Sequence, residues 1–128
     1  MEFRNARIEE KLYKIQSMTD FSLFVKNHKY LIRDQISVGV NCMGRDAKDA
    51  VCVYLKDYLI NGENVPFRAQ NIYPDIFSFG AIQNVHVLPL VFDAQIYGFM
   101  TIGYAEEKVF TILAKQFAKY LAIGLEIL

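Results

Sequence analysis

The chain has 128 residues, and its Lys and Arg total of 14 equals its Asp and Glu total of 14, so the formal charge is zero and the basic footprint of a nucleic-acid binder is missing. Its length suits one domain, and at 53% hydrophobic residues it can bury a core of its own. No apolar run reaches the ~18–20 residues that span a bilayer, and Met1-Glu2-Phe3-Arg4 does not lead into a signal-peptide core, so a cytoplasmic protein with no nucleic-acid or membrane partner is expected.

Residues 4–16 read as a helix: Ile8, Leu12 and Ile15 recur at helical spacing, with Glu9, Glu10, Lys11 and Lys14 on the other faces. So thin a stripe on a charged helix suits a coiled-coil-like entry, and residues 1–16 are expected to form a helical linker or dimerisation helix ahead of a domain at 17–128. Ser17, followed by Asp20, offers a helix start. The stripe Phe21, Phe24, Val25, His28, Leu31 and Ile32 then suits a helix packed on a sheet.

Residues 36–49 are ambiguous. Ile36, Val38, Val40 and Cys42 alternate with Ser37, Gly39 and Asn41, which argues for a strand, yet the same residues can continue the preceding helix. Gly44-Arg45-Asp46 is a turn on either reading. Residues 50–58 read as a central strand, with Val51, Val53 and Leu55 on one face and Cys52 and Tyr54 on the other. Asn61-Gly62 signals a turn. Residues 63–84, with Pro66, Pro74, Gly80 and scattered aromatics, read as a loop region lying against the fold.

Residues 85–104 read as a hairpin turning at Asp93-Ala94-Gln95. A two-residue loop puts His86, Leu88, Leu90 and Phe92 on a face with Tyr97, Phe99 and Thr101, and Val87, Pro89 and Val91 with Gly98, Met100 and Ile102. A three-residue loop flips this, because the side-chain period is two. The first face, aromatic with a His and a Thr, is the candidate pocket lining; the second, aliphatic, suits helices. A long apolar helix starts near Glu106, whose acids favour its N-terminus. Its polar stripe (Lys108, Thr111, Lys115, Lys119) is narrow. One sheet cannot cover the rest, so this helix is expected to meet either the 4–16 helix or a second copy of the chain. It reaches Leu128 with no cap, which is read as a piece of a longer protein continuing into an output domain.

These residues resemble a GAF-like sensory domain of bacterial multidomain signalling proteins, in the variant found beside diguanylate cyclase or transcription-regulator domains. The match runs from Phe67-Arg68-Ala69-Gln70-Asn71-Ile72-Tyr73-Pro74-Asp75 through Val87-Leu88-Pro89-Leu90-Val91-Phe92 and Tyr97-Gly98-Phe99-Met100 to the helix, covering residues 50–128 and more loosely 18–35. The resemblance implies an α/β (α+β) fold: an antiparallel sheet with terminal helices packed on one face, a ligand-accessible pocket on the other, and a homodimer formed through the first and last helices. It also inclines 36–49 to helix, and leaves little room between Tyr58 and Phe67 for the family's second strand, hence a small sheet and a shallow pocket.

No chemistry competes strongly with this reading. Cys42 and Cys52 suit reduced core residues. A Cys52/His86 pair across adjacent strands would need a third, orienting residue that the sequence does not supply. The paired loop cysteines of the family's methionine sulfoxide reductases are not matched. Asp46, Asp49 and Asp57 are scattered, no phosphate-binding glycine motif occurs, and no Cys/His cluster marks a metal. The expectation is therefore a non-catalytic regulatory domain with no assigned cofactor. It would bind an unidentified small molecule or partner and signal through its terminal helices to an output domain; the alternative is a pure dimerisation or protein-interaction module with a filled pocket. Candidate ligand residues are Tyr54, Phe77, Phe79, His86, Phe99 and Thr101. Candidate dimer-seam residues are Ile8, Leu12, Phe117, Tyr120, Leu121, Gly124 and Leu128.

Overall fold

The computed structural model describes residues 2–44, 46, 48–55, 64–75, 77–108 and 111–128, with residues 2–6 described by their backbone. The expected Asn61-Gly62 turn and the 56–58 end of the strand expected at 50–58 lie outside the described residues. Helix α1 (Glu2–Leu12) is followed by α2 (Met18–His28), β1 (Gln35–Met43), β2 (Asp49–Leu55), β3 (Val65–Arg68), β4 (Asn84–Phe92), β5 (Gln95–Tyr104) and α3 (Ile112–Ile127).

The helix starts are set by short polar side chains. Ser17 has extended backbone, and its Oγ accepts the Asp20 N–H at 3.1 Å, while Asp20 Oδ2 accepts the Gln16 N–H at 3.0 Å. Two otherwise orphaned donors are satisfied by this reciprocal pair, a variant of the capping box that begins α2 where Ser17 and Asp20 predict. The last helix departs from expectation. It starts at Ile112, not near Glu106, because Thr111 is its cap: Thr111 Oγ1 accepts the Ala114 N–H at 3.1 Å.

Five strands form one antiparallel sheet in the order β3-β2-β1-β5-β4. Residues 35–43 are a strand and not a helix; β1 is the middle strand, flanked by β2 and β5. Its alternation is genuine, with Val38 and Val40 buried among the helices while Gly39 and Asn41 face the other way. With β1 in place, the expected shortage of strands also disappears, since β2 supplies the second strand and Val65–Arg68 a third.

Two bulges decide which side chains face which layer. The Asp93-Ala94 turn has positive φ at both residues (52° and 63°), the two-residue geometry that matches sheet twist. Phe92 pairs with Gln95 and Val91 with Ile96, but Leu90 then pairs with Gly98, leaving Tyr97 unopposed. That one extra residue reverses the facing expected for the rest of the hairpin. His86, Leu88 and Leu90 share a face with Met100 and Ile102; Val87 and Pro89 share the other with Phe99 and Thr101. Gly98 is required at this spot, because a Cβ there would collide with the Asn41 carbonyl of β1. In β2, Val53 is likewise unopposed, so Val51 and Tyr54 face the helices while Cys52 and Leu55 face away.

All three helices pack on one face. Ile8, Leu12 and Ile15 join Phe21, Phe24 and Val25 of α2, Val38 and Val40 of β1, Met100 and Ile102 of β5, and Phe117 and Leu121 of α3 in one apolar core. Each such side chain contributes about 1.5–3 kcal/mol by leaving water. Gly124 lets α3 approach closely: a Cβ on it would stand 3.2 Å from the Phe21 ring and 3.4 Å from Leu12. Ser22 ties α2 to the sheet by donating to the Val53 carbonyl at 3.0 Å.

Most residues of the expected dimer seam are already covered within one chain. Ile8, Leu12, Phe117, Tyr120 and Leu121 are at most 7% exposed, and Gly124 is buried against Phe21, all within one chain. The apolar surface of α3 is covered by β4 and β5, and at its flanks by α1 and α2, of the same molecule. Of the seam residues only Leu128 stays open, together with Ile112 and Ile127 on the outer side of α3. Among the described residues no helix is long and apolar enough to cross a membrane.

Candidate ligand site

The second face of the sheet, opposite the helices, carries Gly39 and Asn41 from β1, Cys52 and Leu55 from β2, Val65 and Phe67 from β3, Val85 from β4, and Phe99, Thr101 and Gly103 from β5. Two glycines keep this face low. Gly103 lies under the Ile82 side chain, whose Cδ1 would be 2.7 Å from any Cβ added there. At Gly39 a Cβ would stand 2.5 Å from Thr101 Oγ1, so the Thr101 hydroxyl fills the space that a side chain on β1 would take.

The segment between β3 and β4 covers the face with aromatic rings. Tyr73 and Phe77 are stacked with centroids 3.9 Å apart at 7°, and Phe79 meets both edge-on, at 5.2 and 5.0 Å. Phe67 and Phe99 form a second edge-on pair at 6.3 Å. Cys52, Leu55 and Tyr73 are buried, with Val65, Phe67, Ile72, Phe77 and Val85 packed around them.

Under this cover lies a polar cluster. Asn41 and Thr101 are diagonal neighbours on β1 and β5, since Gly39 pairs with Thr101 and Asn41 with Phe99. Burial pushes the Tyr73 phenol above its ordinary pKa, and the neighbouring Thr101 hydroxyl acts against that shift. Proximity does not produce a well-formed bond: among the described residues, Tyr73 OH, Thr101 Oγ1 and Asn41 Oδ1 have no hydrogen-bond partner, although the three residues are 6, 0 and 1% exposed. The Asn41 amide nitrogen does donate, weakly, to the Phe99 carbonyl at 3.4 Å. Buried polar atoms are ordinarily paired, so these unpaired ones, with the Ser37 Oγ on the same face of β1, mark a place where something else can bind.

The structure divides the six expected ligand residues. Phe77, Phe79, Phe99 and Thr101 belong to this face or its cover. Tyr54 and His86 do not, because the two bulges turn them to the helix side. Tyr54 is buried there with Lys29 Nζ 5.6 Å above its ring, and His86 meets the Tyr104 ring edge-on at 5.0 Å. Asn41, Cys52, Phe67 and Tyr73 were missed as site residues; only the strand alternation of 36–42 could have pointed to Asn41.

The same facing separates Cys52 from His86, so the two cannot act as a nucleophile and base. Burial also pushes the Cys52 thiol up to about 12, with the Tyr54 carbonyl opposing and Cys42 adding to the shift, and pushes Cys42 up to about 11. Thiols held protonated are poor nucleophiles at neutral pH. His28 is a core residue: its Nδ1 donates to the Phe24 carbonyl at 2.9 Å and its ring lies on Phe24 at 4.3 Å. Among the described residues no group of His, Cys, Asp and Glu is placed to hold a metal ion. Open grooves of about 470 Å³ beside Ala50 and Phe67, and of about 220 Å³ between α1 and α2, lie outside the cluster.

Neither a protein-family model nor a curated protein sequence matches the chain. Among solved structures it is similar to the GAF domain from Acinetobacter phosphoenolpyruvate-protein phosphotransferase, with a TM-score of 0.66 at 9% sequence identity, over 94% of this chain and 89% of that one. At that identity the likeness is one of fold. It agrees with the GAF-like α+β architecture that the hairpin and helix pattern implied.

Proposed function

We propose that the chain is a non-catalytic regulatory domain that binds a small molecule beneath the 69–83 segment and passes the change to its helices. The observation that carries this reading is the buried, unpaired cluster of Asn41, Thr101 and Tyr73, enclosed by aromatic rings on the face away from the helices. The likeness in fold to a GAF domain supports a sensory role. Strand β5 provides the route: Thr101 faces the site, while its neighbours Met100 and Ile102 pack under the helices. A ligand that shifts β5 changes what α3 rests on, by no more than its differential affinity for the two arrangements. The signal would leave through the terminal helices to an output domain, such as a diguanylate cyclase or a transcription regulator. Any homodimer would use the outer side of α3, where Ile112, Ile127 and Leu128 are exposed.

A second reading, a protein-interaction module with a filled pocket, is favoured by Tyr73 and Phe77 lying across the site. Native mass spectrometry with a thermal-shift screen of small molecules separates the two. A bound mass, or a compound that raises the midpoint in wild type but not in Thr101→Val, supports the sensory reading. A bare protein that no compound stabilises supports the interaction module.

A further inference from the structure

Tyr73 is buried on the covered face with Cys52 and Leu55, and it is held there by a strained turn. Ile72, a β-branched residue, has φ 68° and ψ −35°, and the Tyr73 N–H donates to the Asn71 carbonyl at 2.7 Å, closing a three-residue turn of the rarer, positive-φ hand. Such strain persists only where the surroundings enforce it, and it concentrates at functional sites. The ring that this turn delivers lies flat on Phe77, and among the described residues its hydroxyl, like the Thr101 hydroxyl and the Asn41 Oδ1, has no hydrogen-bond partner. The phenol thus has the position of a ligand without its hydrogen bonds.

We propose that Tyr73 is the chain's own occupant of the ligand site, and that the natural ligand is a small, flat, uncharged aromatic molecule with a hydroxyl or amide-like edge that takes its place. The inference deepens the sensory reading and rests on it. Flatness follows from the slot against the Phe77 ring. One polar edge follows from Thr101, which can donate and accept, and Asn41 Oδ1, which accepts. Neutrality follows from the packing around Tyr73, where Cys52, Leu55, Val65, Phe67, Phe77 and Val85 offer a buried charge no counter-ion. Displacing Tyr73 also releases the Ile72 turn, so the segment that moves is the one under strain.

The probe is p-cresol, the tyrosine side chain as a free molecule, compared by calorimetry with toluene, which lacks the hydroxyl, and p-toluate, which adds a charge. Tyr73→Ala is expected to bind p-cresol about tenfold tighter than toluene and to reject p-toluate, and adding Thr101→Val is expected to abolish the tenfold preference. Equal binding of p-cresol and toluene, or a preference that survives Thr101→Val, overturns the proposal. Wild-type protein gives a second test that needs no cavity variant. With p-cresol, amide hydrogen exchange across 69–83 is expected to speed up as Tyr73 leaves. Unchanged or slower exchange, or no binding to wild type, overturns the displacement. The sensory reading stands apart from this result, since a compound found by the screen and held without loosening 69–83 sinks the Tyr73 proposal alone.

Discussion

Replacing Thr101 by Val tests whether the buried cluster is a site maintained at a cost to the fold. Thr101 is fully buried, and among the described residues its hydroxyl has no partner. A buried hydroxyl left unpaired costs about 1–3 kcal/mol, whereas Val keeps the β-branched shape and replaces the hydroxyl with a methyl that gains from burial. The hydroxyl already fills the space over Gly39, so the methyl needs no new room. Thr101→Val should therefore stabilise the protein by about 1–2 kcal/mol, a rise in Tm of roughly 4–8 °C for a domain of this size. Urea unfolding followed by circular dichroism reads it as a higher midpoint at unchanged slope. A lower midpoint in Thr101→Val would show that the hydroxyl is paired in solution, and the argument for the site would fail.

The remaining predictions probe the rest of the structure. Leu121→Ala should cost about 2–5 kcal/mol with a midpoint independent of protein concentration, because Leu121 packs against its own chain; a concentration-dependent midpoint would restore a seam between copies. Gly98→Ala should cost about 3 kcal/mol or more by forcing β5 off the Asn41 carbonyl, and near-wild-type stability would mean that the bulge is misplaced. With the half-buried Cys42 replaced by Ser, Cys52, fully buried and with its thiol raised to about 12, should react with Ellman's reagent at pH 8 only as fast as the chain opens, so rapid modification of folded protein would refute its burial. His28, held below its ordinary 6.5 chiefly by burial, binds its proton more readily when unfolded; stability should be full above pH 6.5 and fall as pH drops through that value towards the lowered one, and His28→Gln should flatten this slope.

Where the sequence was legible, a local rule acted without interference. Ser17 and Asp20 announce α2, and Asp93-Ala94 turns the hairpin in two residues. Phe21, Phe24, Val25 and His28 mark a buried helical face. The ambiguity over residues 36–42 had a physical origin: the middle strand of a sheet covered on both faces is apolar enough to pass for a helix. The last helix started late because the apolar run before Thr111 hides the cap. The larger loss was facing. Tyr97 and Val53 are single unopposed residues, and pattern counting cannot see an insertion of one. Each reverses every alternation beyond it, and so Tyr54 and His86 face the helices and not the site. Tyr73 was unreadable for another reason, since nothing in a loop's composition says which of its aromatics folds inward.

The two faces differ in how well their buried polar groups are satisfied. On the helix side the core that draws on all three helices is almost wholly apolar, and its buried Ser22 and His28 are bonded to Val53 and Phe24. On the other side the Cys52, Leu55 and Tyr73 cluster adjoins the unpaired atoms of Asn41 and Thr101, and it is covered by a segment containing a strained residue. A fold of marginal stability tolerates such liabilities only where the rest is secure. Thr101 is the junction. It sits between Met100 and Ile102, so one strand carries an unpaired residue of the site and two fully buried residues of the core. A ligand that completes the hydrogen bonds of Thr101 acts on β5 itself, and β5 cannot shift towards the site without withdrawing Met100 and Ile102 from beneath the helices.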